Sequence, residues 1–486
     1  KYGPVPIVPE EGVDYTLTYE AMSQPRNTYE EVVEHISKEM IQAANEIQYY
    51  KRDQENAARP TKGACLATRA LAYIYAASPL ANGQLANGQH DESKVDAKIA
   101  EDFRNKDGQY LLSREYDESK WARAAAACKD VMELNQYELY HTTKSTSGTA
   151  TITPPDDGNF SQKNWPIESI VLHSMPVSCG GWNTNGLTQK MVDAFYMNDG
   201  TDVPGKDSEL NGGNGSERVK GWTTRQNYKD YPPLKANVSL QYANREPRFY
   251  ASVAFSGSVW ENAGHPTTSQ RDKQIFYYRG GGDGYINAFS YPRTGIGYRK
   301  FYNPNDYIES GHSMDHIAAK PEPAIRYADI LLMYAEALNE LDGSYQVASW
   351  DGSKTYTISR DINEIKKGIQ PVRIRAGLPD YTDAEYSDKN VLRAKIKRER
   401  MIELLGEGKR YYDLRRWMDA PVEESQQIYG LNVFMTQDRR DDFMVVIPTT
   451  NLQQTFAEKM YFWPVTFDEL KRNNKLVQSP GWRNYD

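Results

Sequence analysis

Three stretches carry residues whose types and spacing could do chemistry. His312, Asp315 and His316 place two imidazoles four residues apart with a carboxylate beside them, a spacing that on a helix could seat a metal. The glutamate base of a zinc-hydrolase helix would follow the first histidine directly, and Ser313 stands there instead. The pair therefore reads as polar loop histidines in a Gly-His-Ser turn. Arg279-Gly280-Gly281-Gly282-Asp283-Gly284-Tyr285 has the glycine density of a phosphate cradle, but no Lys-Ser or Lys-Thr pair follows and no strand-to-helix change surrounds it. It reads as a flexible loop that offers Tyr285 to solvent. In the third stretch Glu399, Glu403, Glu407 and Asp413 are interspersed with Arg398, Arg400, Lys409, Arg410, Arg415 and Arg416. Acid-base catalysis needs two carboxylates held apart in a cleft with pKa values driven in opposite directions. Carboxylates spaced by four on one helix, with arginines between them, are expected instead to neutralise each other along that helix as a structural network. With no Gly-x-Ser-x-Gly elbow and no convincing Cys/His pairing, the sequence points away from an enzyme.

What remains is recognition by rings and polar groups on loops. A sugar presents apolar C–H faces that stack on aromatic rings and hydroxyls that pair with Asn, Asp, Gln or Arg, so its site needs both kinds of group close together. The run Cys179-Gly180-Gly181-Trp182-Asn183-Thr184-Asn185 meets that need, with Asn183 and Asn185 beside Trp182. Trp260, Asp283, Tyr285, Asn287 and Tyr291 form a second candidate cluster. No cofactor or metal is implied, and a structural calcium ion is not readable from the sequence.

Composition narrows the partners. The 486 residues hold 58 basic and 66 acidic side chains, a net charge of −8, with no basic tract. That argues against nucleic acid or an anionic lipid surface as the main partner. Tyrosine occurs 35 times and tryptophan 9 times, and such amphipathic rings suit sugar faces and wet interfaces as well as cores. Cys65, Cys128 and Cys179 are too few and too far apart for a disulfide framework or a zinc site; the first two lie in Ala-rich helical runs and read as small buried residues. No stretch approaches the length of a membrane-spanning helix, and KYGPVPIVPE has the form of neither a signal peptide nor a transit sequence.

Helices must position these loops. Residues 28–50 open with a capping box, Thr28 and Glu31, and carry Val32, Ile36, Met40 and Ile47 along one predicted face. Further helices are predicted from about Lys62 to Ser78, stopped by Pro79, and from about Glu118 to Asn135. From about 142 to 320 Gly, Asn, Ser, Thr, Pro and aromatics dominate, with strand-like pieces at 168–175, 249–257 and 274–280 and one helix, Leu187–Met197. A loop-rich stretch of that length points to functional loops. Two helical stretches come next. Pro321–Glu340 places Tyr327, Leu331, Tyr334 and Leu338 on one face, and Val391–Asp419 is interrupted at Gly406 and Gly408. Thr466 and Glu469 predict a capping box for a last short helix. The division is thus 1–141 helical, 142–320 loop-rich and ligand-binding, and 321–486 helical with a closing segment. The class is mainly α, with helical pairs similar to degenerate tetratricopeptide repeats and a loop-rich, mixed insertion.

The series RYADILLMYAEALNE (326–340), INEIKKGIQPVRIRAGLP (362–379) and RERMIELLGEGKRYYDLRRW (398–417) resembles the C-terminal signature of the SusD/RagB family, surface lipoproteins of Bacteroidota that bind nutrients, usually glycans. Tyr2-Gly3-Pro4-Val5-Pro6-Ile7-Val8 looks like the family's YGxVPxV turn, which comes after an early helix, so the resemblance implies a signal sequence, a lipidated cysteine and first helices ahead of this chain. Glu246-Pro247-Arg248 and the later Gly297-Tyr298-Arg299-Lys300 are similar to its Asp-Pro-Arg and Arg-Lys-Tyr neighbourhoods, with Glu246 in place of Asp. Phe462-Trp463-Pro464-Val465 and Gln478-Ser479-Pro480-Gly481-Trp482 resemble its close. The resemblance implies a SusD-like fold at the surface of the cell outer membrane, tethered to the outer leaflet through an N-terminal lipid anchor. It implies capture of an oligosaccharide without bond cleavage and delivery to a SusC-like TonB-dependent transporter, with the protein as a hinged lid. The family fixes no ligand residues by motif, so none carries over. Peptide cargo, and a helical-repeat scaffold with protein partners only, are the alternative readings.

Overall fold

The computed structural model describes residues 1–50, 56, 59–83, 97–139, 186–287, 291–300, 307, 323–449 and 452–483. Cys179, Trp182, Asn183, Asn185, the expected strand at 168–175 and the His312–His316 pair lie outside the described residues.

Helix α1 (Tyr29–Glu46) begins where the sequence places it: the Glu31 amide donates to Thr28 Oγ1 at 3.2 Å, and the Thr28 amide donates to the Glu31 carboxylate at 2.7 Å. Its inward face is turned by one residue from the expected one, with Val33, Ser37 and Ala44 buried and Val32 and Ile36 outside that set. A polar thread sets that face. Ser37 Oγ lies 3.0 Å from Arg69 Nε and 2.8 Å from Tyr73 Oη, both on α2 (Lys62–Ala77), and Arg69 pairs with buried Asp130 on α3 (Ser119–Glu133) at 2.8 Å. Ala122 and Ala124–Ala127 are all buried, so α3 has little side-chain bulk to hold its neighbours away. Cys65 and Cys128 are buried there as expected.

The loop-rich region contributes α4 (Gln189–Ala194), shorter than the Leu187–Met197 expected because Phe195 is already extended, and α5 (Pro247–Ser252). Its strands are two residues each and pair antiparallel, β1 (Val253–Ala254) with β4 (Gly297–Tyr298) and β2 (Val259–Trp260) with β3 (Lys273–Gln274).

Helix α6 (Tyr327–Asn339) departs from a one-faced amphipathic pattern: every residue from Ala328 to Asn339 is buried. It is a central helix, enclosed by α3 and by two helices later in the chain, and a helix wrapped by protein has no solvent face to keep polar. After the ribbon β5 (Ser344–Ala348) and β6 (Thr355–Ser359), α7 (Ile362–Arg375) lies so close to α6 that a Cβ on Gly368 would meet the Leu331 carbonyl and Ala335. Helix α8 (Lys389–Glu403) and α9 (Lys409–Arg416) are separated at Gly406 and Gly408, both in the left-handed region at φ +77° and +72°, where glycine is favoured. β7 (Tyr429–Leu431) and β8 (Val446–Pro448) close the second core. The last short helix, Phe467–Arg472, forms without the expected box; Glu469 pairs with Arg472 at 3.3 Å instead of capping.

Two large cores result. The first joins α1–α3 to α6, α7 and the start of α8, so residues on both sides of the loop-rich region share one interior. The second gathers α4, α5, β1, β2, β4, β7 and β8. Helix α8 serves both, with Leu392 and Ile396 in the first and Ile402 in the second. At a third corner Phe103 meets Phe462 at 5.3 Å, the Trp463 amide donates to Lys1 O at 2.8 Å, and the Arg26 guanidinium donates to the carbonyls of Tyr2 and Val477 at 2.9 and 3.1 Å. The opening turn and the closing segment are one packed unit.

Candidate ligand-binding site

The charged stretch singled out by spacing lies on α8 and α9 at the seam between the two cores. Arg248, from α5, donates to Glu246 at 2.8 Å, Glu399 at 2.7 Å and Glu403 at 3.0 Å, and all four side chains are sealed from solvent. Arg373 and Arg375 of α7 reach Glu399 at 3.2 Å and Glu403 at 2.5 Å. Arg326 reaches Glu403 and Glu407 at 3.2 and 2.7 Å, and Lys300 reaches Glu407 at 2.7 Å. Elsewhere on α8, Arg400 pairs with Asp329 at 2.8 Å and Asp413 at 3.0 Å, while Arg416 pairs with Asp413 at 2.8 Å and Glu336 at 2.5 Å. The expectation of neutralisation along one helix is therefore corrected. Between Arg398 and Arg416, among the described residues, only Arg416 and Asp413 pair within a helix; the other partners come from other segments, because α8 runs between two cores and meets protein where a surface helix would meet water.

Electrostatics match that enclosure. Burial pushes the Glu403 carboxyl up, but Arg375, Arg326 and Arg248 more than offset it and leave it at about 2. Glu399 is held below the usual carboxylate range in the same way, burial being outweighed by Arg248 and Arg373. Burial pulls the Lys300 ammonium down to about 8, only partly countered by Glu407. Buried and paired, these carboxylates hold the seam and present nothing to a ligand.

The surface with open rings lies on the loop-rich side. Arg279 donates its backbone amide to Met435 O at 2.8 Å and forms a parallel bridge with Thr436, which brings the glycine loop alongside the turn after β7. That places Tyr285, Tyr291 and Phe434 together, with centroids 4.9 Å (285–291), 5.2 Å (285–434) and 6.0 Å (291–434) apart. Tyr291 is 3% exposed and acts as the floor; Tyr285 is half-buried; Phe434, 44% exposed, is the open ring, and Ile286 beside Tyr285 in the chain is 61% exposed. Asn287 is exposed and Asp283 half-buried on the same loop. The Arg279 guanidinium stands 5.7 Å from the Tyr285 ring centre and that of Arg293 stands 4.3 Å from the Tyr291 ring centre. The arrangement offers an apolar face with two guanidinium groups beside its rings and an amide and a carboxylate on the same loop, in the mutually tilted and edge-to-face ring geometry that aromatic clusters favour.

Two of the sequence expectations change here. Trp260 leaves the candidate set: it is 1% exposed, held in β2 inside the second core with the Arg299 guanidinium 5.4 Å from its ring centre, and a buried ring gives no face to a ligand arriving from solvent. The glycine loop is packed closely, unlike the flexible loop expected. The Gly281 amide donates to Tyr278 O at 2.9 Å, and a Cβ on Gly284 would collide with the same carbonyl. Phe434 is the residue that sequence reasoning missed. Its signal was the alternation Leu431, Val433 buried against Phe434 exposed, in a turn with no other use for an apolar ring. Among the described residues no group of His, Cys, Asp and Glu side chains could hold a metal ion.

The model of the SusD family matches residues 140–482. Among curated proteins, SusD-like protein P38 of Formosa agariphila is 34% identical over 155 residues, covering 32% of this chain and 23% of its own length. The chain therefore matches less than a quarter of that relative. Among solved structures, BT4246 superposes with a TM-score of 0.74 at 22% identity, covering 99% of this chain and 80% of its own. A SusD-like carbohydrate binding protein of Bacteroides fragilis does so with a TM-score of 0.55 at 17% identity, covering 98% and 76%. At these identities the superpositions establish the fold.

Proposed function

We propose, from the premise that this chain belongs to the SusD family, that it is a surface glycan-binding protein that captures an oligosaccharide and passes it to a SusC-like TonB-dependent transporter. The observation that carries the reading is the open ring of Phe434 packed on Tyr285 and Tyr291, with the guanidinium groups of Arg279 and Arg293 beside those two rings and Asp283 and Asn287 on the same loop as Tyr285. Rings stack on the C–H faces of a sugar and the edge groups take its hydroxyls. The carbohydrate-binding relative from Bacteroides fragilis supports the same cargo.

Binding proceeds without cleavage, since the carboxylates with the most perturbed surroundings are locked in the seam. The helical side provides the broad surface for the transporter, and the loop-rich side, where the platform lies, holds the ligand. Attachment to the outer leaflet is by a lipid anchor; among the described residues no helix is long and apolar enough to cross a membrane.

Isothermal titration against plant, host and microbial oligosaccharides tests the cargo. At least one glycan binds, and Phe434→Ala removes that binding while leaving the far-ultraviolet spectrum unchanged. Binding of peptides with none of the glycans overturns the reading.

A further inference from the structure

Arg279 is fixed in an unusual way for an exposed arginine. Its backbone is tied to Met435 and Thr436, the two residues after Phe434, and its guanidinium leans over Tyr285, the ring that touches Phe434. No carboxylate among the described residues pairs with it. The acids of the neighbouring turn are already engaged: Asp438 accepts from Thr436 Oγ1 at 2.6 Å, Asp441 from Trp222 Nε1 at 2.5 Å, and Asp442 pairs with Arg439 at 2.8 Å. Arg440 stands 4.4 Å from the Trp222 ring centre, again with no carboxylate partner among the described residues. An exposed guanidinium beside an open ring is a donor for a planar or tetrahedral oxyanion, which it meets with two parallel N–H bonds.

We infer that the Phe434 platform takes an anionic oligosaccharide, a glycan carrying a uronate carboxylate or a sulfate ester, and that Arg279 pairs with the anion while Phe434 stacks on the ring of the sugar. The inference rests on the glycan reading above and adds the charge of the substrate. Guanidinium is the better choice than ammonium here because, 5.7 Å from the Tyr285 ring centre, it can still meet an oxyanion with two parallel N–H bonds.

Titration calorimetry on the full chain uses an oligogalacturonide beside its carboxyl-reduced form, and a sulfated galactan oligosaccharide beside its desulfated form. The expected result is that one acidic form binds about tenfold or more tightly than its neutral counterpart, the gap expected of one charge-assisted contact. That gap closes in Arg279→Gln and narrows as salt rises from low to physiological strength. Which of the two acidic forms shows the gap distinguishes carboxylate from sulfate. Arg279 is exposed, so the variant folds. Equal binding of acidic and neutral forms, both lost in Phe434→Ala, overturns the inference and leaves the glycan reading standing. A gap that Arg279→Gln leaves unchanged also overturns it. Binding of no glycan of any kind overturns both.

Discussion

Glu403→Gln tests the reading of the seam. The cluster around Arg248 holds five cations, Arg248, Lys300, Arg326, Arg373 and Arg375, against four carboxylates, Glu246, Glu399, Glu403 and Glu407. The amide keeps the shape of the side chain and one acceptor oxygen but leaves five cations against three anions, all out of water. Breaking a buried pair in this way costs about 3–5 kcal/mol, whereas an exposed pair such as Arg472 with Glu469 contributes about 0–1 kcal/mol. Urea denaturation read by tryptophan fluorescence at pH 7 should therefore show a loss near 3 kcal/mol or more.

The pH dependence of that loss has a definite sign. Lys300, already lowered to about 8 by burial, is attracted by the Glu403 charge, and the variant forfeits that attraction only while Lys300 is protonated. The gap between wild type and Glu403→Gln should narrow as pH rises to and through about 8, where Lys300 of the folded wild type loses its proton. A loss below about 1 kcal/mol at pH 7, the range of an exposed pair, would refute the buried-seam argument, as would a gap that widens with pH.

Four further outcomes are expected. Trp260→Ala should cost about 3–5 kcal/mol in urea denaturation while leaving glycan affinity of the folded protein within roughly twofold, a change of under half of 1 kcal/mol, because the indole is in the core. Gly284→Ala should leave the fold intact and weaken glycan binding by about tenfold in calorimetry, since its Cβ would push the loop off the Tyr278 carbonyl and move Tyr285. Acid titration of the melting temperature should show a fall once pH drops below 4.5 toward about 2, the window between the ordinary glutamate value and that of Glu403. Asp130, raised by burial to about 6 from 3.8, has the opposite sign and gains stability for the fold across that interval. Asp130→Asn should accordingly lose stability relative to wild type as pH falls from 6 to 4.

The helices were legible because their signals are local. The Thr28 box, the stop at Pro79 and the glycines 406 and 408 each act within one turn of the chain, and the structure bears them out. Faces were harder to read. Val32 and Ile36 were favoured over Val33 and Ser37 because hydropathy carries no record of a serine needed between Arg69 and Tyr73. Likewise, charges spaced by four on α8 look the same whether the helix is bathed in water or enclosed; the discriminating fact is that Arg248, Arg326, Arg373 and Arg375, up to 155 residues away in the chain, converge on it. The candidate loop was half legible. Tyr285 and Tyr291 were found by composition, but Phe434 belongs to another loop, and only the backbone pairing of Arg279 with Met435 and Thr436 brings it alongside.

Seam and platform are coupled through the second core. Arg248 leaves α5 one turn before β1; β1 pairs with β4; and Leu431, at the end of β7, donates to Thr294 O at 2.8 Å just before β4. The turn bearing Phe434 therefore hangs from the same short strands that Arg248 ties to α8. Two-residue strands contribute little stability by themselves, so the buried ion pairs supply the rigidity that irregular loops lack, and the loops stay free to carry the rings. By linkage, a ligand that binds only the ordered platform adds RT ln(1 + [L]/Kd) to stability, about 2.7 kcal/mol at a hundredfold excess over Kd. Saturating glycan should therefore restore most of what Glu403→Gln removes.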